Sequence, residues 1–382
     1  MEAIWPILLA LVVLSGVGLA YRRKQTALVT VDLNVRDVGI ASGDQSRNTV
    51  ESDFVEDEAF DGEPDPFDEV QGFEIPVTTD IYINYPTYAD MDEDKVEMLK
   101  SLTGALPELP HVSLDLLPLL SKPGAGMSEI AKLIERDQAT AARLMRWVNS
   151  GFYGLEKKVE SLHRAVTLLG LDTVRSAVIY DSFNRSMNPR GFDGLDTYRI
   201  WAHSSAVSMA AKELSKRIRG IEPEVAATAG LLHNIGLVLL LTTERDKLQQ
   251  TVKASYEEGD MMIDHEDEYI GFNHQTWGEC FIREWGLPDI IAEAVGNHHN
   301  PMGERTGTLG TLVWLADYIV TGVGFECPKG NRMLLSDEDE HAVLEKLGLR
   351  ASLWGYVTER FVRKLNESAS MWKSYFVPAR TA

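Results

Sequence analysis

Leu231-Leu232-His233-Asn234-Ile235-Gly236 places an imidazole and an amide side by side inside an apolar run. Burying neighbouring polar groups costs free energy unless other groups satisfy them. Working outward, partners of suitable chemistry stand at His203, His274, His298, His299 and Asp317, and each continues an apolar stripe at helical spacing. His203 falls in the row Ile200, Val207, Ala210 and Leu214, and His233 in the row Val225, Ala229, Gly236 and Leu240. His274 precedes Gly278, Phe281 and Trp285, His298 follows Ile291 and Ala294, and Asp317 lies between Val313 and Val320. Offsets of three and four turn all of these groups to the buried face of their helices. Several inward histidines with one inward carboxylate predict a shared buried site.

The rest of the chain from residue 92 reads the same way. Helical periodicity covers Glu93–Leu102, Leu114–Leu120, Ser128–Arg136, Ala139–Val148, Ser161–Leu169, Thr173–Met187 and Thr197–Arg217. It resumes over Pro223–Thr242, Arg245–Glu257, Asp260–Ile270, His274–Trp285, Asp289–Asn297 and Thr308–Val323, then Glu338–Leu347 and Ser352–Tyr375. Ser128 suits an N-cap and Pro223 a first helical turn, while Gly151, Gly154 and Gly170 fall where helices should stop. Alternating strand patterns are almost absent after residue 92, so the fold class is all-α.

In this order and spacing the residues resemble the HD superfamily of metal-dependent phosphohydrolases. They are more narrowly similar to the HDOD domain, the HD-related output domain of bacterial signalling proteins. The likeness is carried by His203, His233-Asn234, His274, His298-His299 and Asp317, together with Leu106-Pro107-Glu108-Leu109-Pro110 and Ile134-Glu135-Arg136-Asp137. Leu144 to Ser150, Ser161 to Val166, Leu169-Gly170, Val174-Arg175, Glu266, Gly271 and Trp285-Gly286-Leu287-Pro288 extend it over roughly residues 100 to 320. The resemblance implies a multi-helical domain and makes His203, His233, Asn234, His274, His298, His299 and Asp317 the candidate metal residues.

It also implies departures at the chemistry. In the family's enzymes an aspartate after the second histidine bridges two cations that activate water. Here Asn234 stands in that place, and a neutral amide offsets none of the repulsion between two divalent ions. Relatives that cleave cyclic dinucleotides carry a lysine where this chain has Leu237, and follow their paired histidines with a Glu and a Gly-Tyr-Pro loop where this one has Asn300-Pro301-Met302-Gly303. One divalent metal held by imidazoles and Asp317, such as Fe, Mn, Zn or Ni, remains chemically reasonable. A metal-free hydrogen-bonded network of the same histidines is the other reading. His111, His163, His265 and His341 are not assigned to the site.

Outside the helical region the composition is lopsided. The chain has 382 residues and a net charge of −21, yet between Asn48 and Asp94 there are 16 acidic residues and no Lys or Arg. Setting the other 42 acids against 37 bases leaves −5, so no basic face points to nucleic acid. Ala3 to Tyr21 is a 19-residue uncharged stretch followed by Arg22-Arg23-Lys24. That predicts a membrane-crossing helix with its basic flank in the cytoplasm, and the absence of a basic start argues against a cleaved signal peptide. Val29, Val31, Leu33 and Val35 alternate with polar residues but have no evident sheet to join. The acidic, Pro-containing stretch that follows cannot repay its ordering entropy and is expected to be unstructured. Phe54, Phe60, Phe67 and Phe73 within it read as part of a spacer or as a partner motif. Cys280 and Cys327 form no disulfide framework and fit a reducing compartment.

The expected organisation is therefore an anchor and basic flank over 1–24, a linker over 25–91, an HDOD helical domain over 92–325 and a helical extension over 326–382. Its aromatic residues Trp354, Phe361, Trp372, Tyr375 and Phe376 suit packing back onto the domain. The expected function is a non-catalytic signal-transduction module, single-pass in a bacterial inner membrane with its N-terminus outside and its helical domain in the cytoplasm. It would act through ligand- or metal-dependent binding of a protein partner. A metal-dependent phosphohydrolase acting on nucleotides or cyclic dinucleotides is the competing expectation.

Overall fold

The computed structural model describes residues 75–78, 80–107, 126–149, 157–187, 189–329, 331–349 and 361–366, with isolated positions 115, 119 and 155. All of them belong to one compact unit, Asp65–Ala382. The expected anchor, the alternating stretch after it, the linker up to residue 74, the helix at Leu114–Leu120, and Trp354, Trp372, Tyr375 and Phe376 lie outside the described residues.

A short strand β1 (Ile75–Thr78) and a 3-10 turn (Tyr88–Asp90) precede the helices α1 (Glu93–Gly104), α2 (Met127–Ile134), α3 (Gln138–Val148), α4 (Leu162–Leu169) and α5 (Leu171–Met187). The site-bearing part follows: α6 (Thr197–Ser215), α7 (Pro223–Leu232), α8 (Ile235–Thr243), α9 (Arg245–Glu258), α10 (Ile263–Tyr269), α11 (His274–Glu284), α12 (Asp289–Gly296) and α13 (Thr308–Gly322). Strand β2 (Asn331–Leu334) pairs in parallel with β1, and α14 (Asp337–Lys346) closes the series. The all-α expectation holds, with this two-stranded pair as its exception among the described residues.

Local chemistry sets many of these boundaries. The carboxylates of Asp92, Asp137 and Asp196 and the oxygens of Ser161, Asn273 and Ser336 cap the helices that follow them. Each such cap satisfies an otherwise orphaned N–H and is worth about 1 kcal/mol. Pro223 sits in the first turn of α7 as expected, but α2 starts one residue before Ser128 and its cap is Gly126. The centre of the fold is α6 packed against α7 and α13, with α11 packed against α12 and α8. Trp201, Trp277 and Trp314 are fully enclosed there.

Two features depart from the sequence expectation. The single helix expected over Pro223–Thr242 is broken at His233-Asn234, where Asn234 takes φ −96° and ψ 19° and starts α8 as its N-cap. By composition Pro223–Thr243 could cross a membrane, but 89% of its apolar window is buried in the fold, so it is a core element. The second departure is the linker, whose unstructured run was expected to reach residue 91. From Ile75 onward the chain is instead part of the domain: Ile81 is fully buried and Tyr85, Tyr88 and Met91 pack on the core. The segment lies extended across the helices, so its apolar contacts have no helical period and the surrounding acids dominate its composition. At the other end, Phe325 and Met333 are buried, and Lys364 pairs with Glu213 on α6 at 2.7 Å. The described residues of the extension, 326–329, 331–349 and 361–366, therefore belong to the same unit as the helical core.

Candidate metal centre

His203 projects from the middle of α6, His233 closes α7, Asn234 opens α8, and His274 opens α11. His298 and His299 follow the end of α12, and Asp317 lies in α13. All are buried except His299, which is partly exposed. Helix α8 can approach the start of α11 because residue 236 is glycine: a Cβ there would lie 2.0 Å from the His274 carbonyl oxygen.

The ligand atoms form two adjoining groups. His203, His233 and Asp317 make one, and His274, His298 and His299 the other, with the atoms of each within 4.8 Å of one another. The His233 and His298 rings meet edge to face across the join, with centroids 5.1 Å apart. Asn234 lines the same cavity as His274, His299 and Asp317. The structure thus gathers all seven residues that the sequence singles out.

The hydrogen bonds on the far side of each ring decide what the near side can do. Nδ1 of His203 meets the Phe325 carbonyl at 2.6 Å, that of His233 the Gly230 carbonyl at 2.7 Å, and that of His298 the Val295 carbonyl at 2.6 Å. Nδ1 of His274 faces both oxygens of Glu266 at 2.7 and 2.8 Å. Carbonyls and carboxylates only accept, so the Nδ1 of each of these four rings carries a hydrogen and its Nε2 is turned inward. Those Nε2 atoms face one another, and each close pair needs a hydrogen or a cation between its two nitrogens. The Nε2 atoms of His203 and His233 are 3.3 Å apart, and His274 Nε2 is 3.2 Å from the Nε2 of both His298 and His299.

Extra protons are a poor remedy. Burial, reinforced by neighbouring histidines, holds His233 down at about 3 despite the attraction of Asp317, and keeps His298 and His299 well below the usual imidazole range. A proton shared with Asp317, 3.1 Å from His203 Nε2, relieves the first group only. Burial would raise Asp317, but its bond to His203 and the nearby His203 and His233 more than offset that and hold it at about 2. A cation, by contrast, suits the donor set. Two nitrogens each about 2.0–2.1 Å from one tetrahedral ion lie roughly 3.3 Å apart. The residues therefore fit a divalent metal, and the Nδ1 bonds supply the outer partners that orient ligating imidazoles.

Glu266, Gln275 and Thr321 are the functional neighbours that the sequence reading left out of the site. Glu266 is wholly buried and also accepts from the His274 amide at 2.6 Å. Gln275 accepts from the His299 amide at 3.2 Å, and Thr321 donates to Asp317 at 3.2 Å. Glu266 was legible: it sits at helical spacing between Ile263 and Ile270, both buried. His163 and His341 are exposed, and His265 pairs with Asp260 at 2.6 Å, away from the centre.

Above the ligands the open space is small. Leu237, Met261, Met262, Ile263, Met333 and Pro328 wall it, leaving about 20 Å³. One water-sized guest needs about 10–15 Å³, whereas ligand pockets span roughly 300–1,000 Å³. The cavity holds an ion or a water, and a nucleotide would need the methionine wall to move.

The HDOD domain family model matches residues 106–301. A protein of Treponema pallidum (strain Nichols), described as uncharacterized, is 24% identical over 199 residues, which is 51% of this chain and 38% of that protein. The chain accordingly spans well under half the length of the curated relatives it matches. Among solved structures, one from Marinobacter aquaeolei VT8, described as a candidate signal transduction protein, superposes with a TM-score of 0.63 at 23% identity, covering 78% of this chain and 68% of that one. A Geobacter sulfurreducens structure, described as an HDOD domain protein with unknown function, gives 0.58 at 21% identity over 75% and 99% of the two chains. Likeness at these identities establishes the fold.

Proposed function

Because the chain belongs to the HDOD domain family, we propose that it is a non-catalytic regulatory module whose histidine centre holds one divalent metal ion and whose helical domain binds a protein partner. In this reading Ala3–Tyr21 anchors it in a bacterial inner membrane with the helical domain in the cytoplasm. His203, His233 and Asp317 are the resident ligands, since they alone combine imidazoles with a directly placed carboxylate. Fe, Mn, Zn or Ni suits that set. The observation that carries the reading is the inward convergence of imidazole Nε2 atoms at 3.2–3.3 Å. Asn234 in the bridging position, Leu237 beside it and a cavity of about 20 Å³ support a sensor in preference to a hydrolase.

The competing reading, a metal-dependent phosphohydrolase, is favoured by the three-ligand geometry, because catalytic metals keep an open position. Elemental analysis of the purified full chain, followed by incubation with Mn(II) or Fe(II) and a panel of nucleotides and cyclic dinucleotides, separates the two. The expected result is about one ion per chain, lost in His233→Ala and Asp317→Ala, with no turnover. Turnover that disappears in His233→Ala would establish the hydrolase instead, and a metal-free protein would sink both.

A further inference from the structure

Just before α1, the segment Asn84–Tyr88 crosses the outer side of the second histidine group and is held there through its main chain. Asn300, adjacent to His299, brackets Tyr85: its Oδ1 accepts from the Tyr85 amide at 2.8 Å and its Nδ2 donates to the Tyr85 carbonyl at 2.9 Å. The Pro86 carbonyl lies within hydrogen-bonding distance of Asn273 Nδ2 (2.8 Å), Thr276 Oγ1 (2.9 Å) and Gln275 Nε2 (3.3 Å). Those four side chains are almost wholly buried, between 0 and 2% exposed. Three of them come from the cap and first turn of α11, on either side of His274. Gln275 completes the circuit, because its other amide atom accepts from the His299 main chain. The Tyr85 ring meets the His299 ring edge on, and its hydroxyl donates to Asp264 at 2.6 Å. Upstream, β1 pairs with β2, whose Met333 walls the cavity.

We infer that Tyr85 and Pro86 are positioning residues for the His274–His298–His299 group, so that seating of this strap sets the group's affinity for a second, weaker metal ion. The physical reason is the cost of the alternative. Lifting the strap leaves four buried amide and hydroxyl side chains without their main-chain partners, and each such loss is expensive in the interior. Those side chains would turn to one another or to water, and His274 and His299, fixed to the same two turns, would shift with them. The His203–His233–Asp317 group has no contact with the strap and keeps its geometry. Since coupling is reciprocal, a second ion that tightens the group also tightens the strap.

This inference deepens the metal-binding reading and rests on it for its metal arm, so the test has two arms on the full chain. In the first, hydrogen exchange is compared without metal in the wild type, in Tyr85→Pro, which removes the amide donated to Asn300, and in Tyr85→Phe, which keeps it. Faster exchange at 273–276 and 298–300 in Tyr85→Pro alone, with α6 and α7 unchanged, is expected. Unchanged exchange at those turns, or equal loss of protection throughout, overturns the inference. In the second arm, Co(II) is titrated and followed by its visible absorption. The second equivalent should weaken about tenfold in Tyr85→Pro and be normal in Tyr85→Phe, within the usual 5–150-fold span of coupling. Identical binding of both equivalents in all three proteins refutes it. A wild type that binds no Co(II) refutes the metal-binding reading, while the exchange arm still decides the strap.

Discussion

Replacing Gly236 by alanine tests whether the metal centre depends on the close approach of α8 to α11. The added Cβ would fall 2.0 Å from the His274 carbonyl oxygen, 2.7 Å from its carbon and 3.0 Å from its Cα. Non-bonded heavy atoms of this kind need about 3.5 Å, so the two helices must separate by more than 1 Å. That displacement moves His274 away from Asn234 and relative to His298 and His299, whose Nε2 atoms sit 3.2 Å from its own. Overpacking of a tight contact costs about 1–3 kcal/mol. At roughly 2–4 °C per kcal/mol for a domain of this size, the melting temperature should fall by about 2–12 °C. Calorimetric titration with Zn(II) should show metal affinity falling at least tenfold, because a shift of over 1 Å exceeds the ligand tolerance of about 0.5 Å. Gly104→Ala, where nothing lies within 4 Å of the new methyl, serves as the control and should change neither quantity. If Gly236→Ala melts with the wild type and binds Zn(II) as tightly, the close-approach reasoning is wrong.

Three further outcomes follow from the same geometry. Glu266→Gln keeps the shape but gives His274 Nδ1 a weaker, neutral partner. Metal affinity measured by competition with a chelator dye should fall 10–100-fold. Asn234→Asp restores a carboxylate to the cavity. Elemental analysis should find more metal per chain, and chelated protein should melt below chelated wild type, because the new charge is then buried without an ion. Glu213 serves for pH. Burial would raise its carboxyl, but Lys216 and Lys364 at 2.7 Å more than offset that and hold it at about 2. A depressed carboxyl contributes stability above its unfolded value and loses it as the pH falls through the folded one. Acid titration followed by circular dichroism should therefore show Glu213→Gln losing its deficit between about pH 4.5 and pH 2. A deficit of unchanged size at pH 2 would count against the pairing.

The helical periods made most of this arrangement legible. Rows such as Ile200, His203, Val207 and Ala210 specify an inward imidazole without any knowledge of the partner, and Pro223 marks the first turn of its helix. What periodicity could not supply was the break at His233-Asn234. A run this apolar reads as one continuous helix, and nothing in its period marks the turn that Asn234 takes. The strap was hidden for a different reason. Its recognition is of main chain, by Asn300, Asn273 and Gln275, so the residues that hold it lie some two hundred positions away and Tyr85-Pro86 looks like any extended dipeptide. The two-group division of the ligands was equally invisible, because spacing along helices does not say which Nε2 meets which.

Charge decides how the two groups differ. The centre contains two buried carboxylates, Asp317 facing the ligands and Glu266 behind His274, set among histidines that burial and mutual repulsion keep from taking protons. One divalent ion among His203, His233 and Asp317 has a carboxylate directly beside it. A second ion among His274, His298 and His299 has none, and Asn234 offers an amide dipole where a carboxylate would be needed to hold two cations a few ångströms apart. Occupancy of the second group must therefore be weak, and a weak equilibrium is one that small structural energies can tip. A coupling of 1–3 kcal/mol, typical between linked sites, is negligible against a tightly held ion but is a 5–150-fold change in affinity at the weaker site. An amide in place of the bridging acid thus favours one tightly held ion over a pair. On the proposed reading it leaves one ion to His203, His233 and Asp317 and a responsive group under the Tyr85-Pro86 strap.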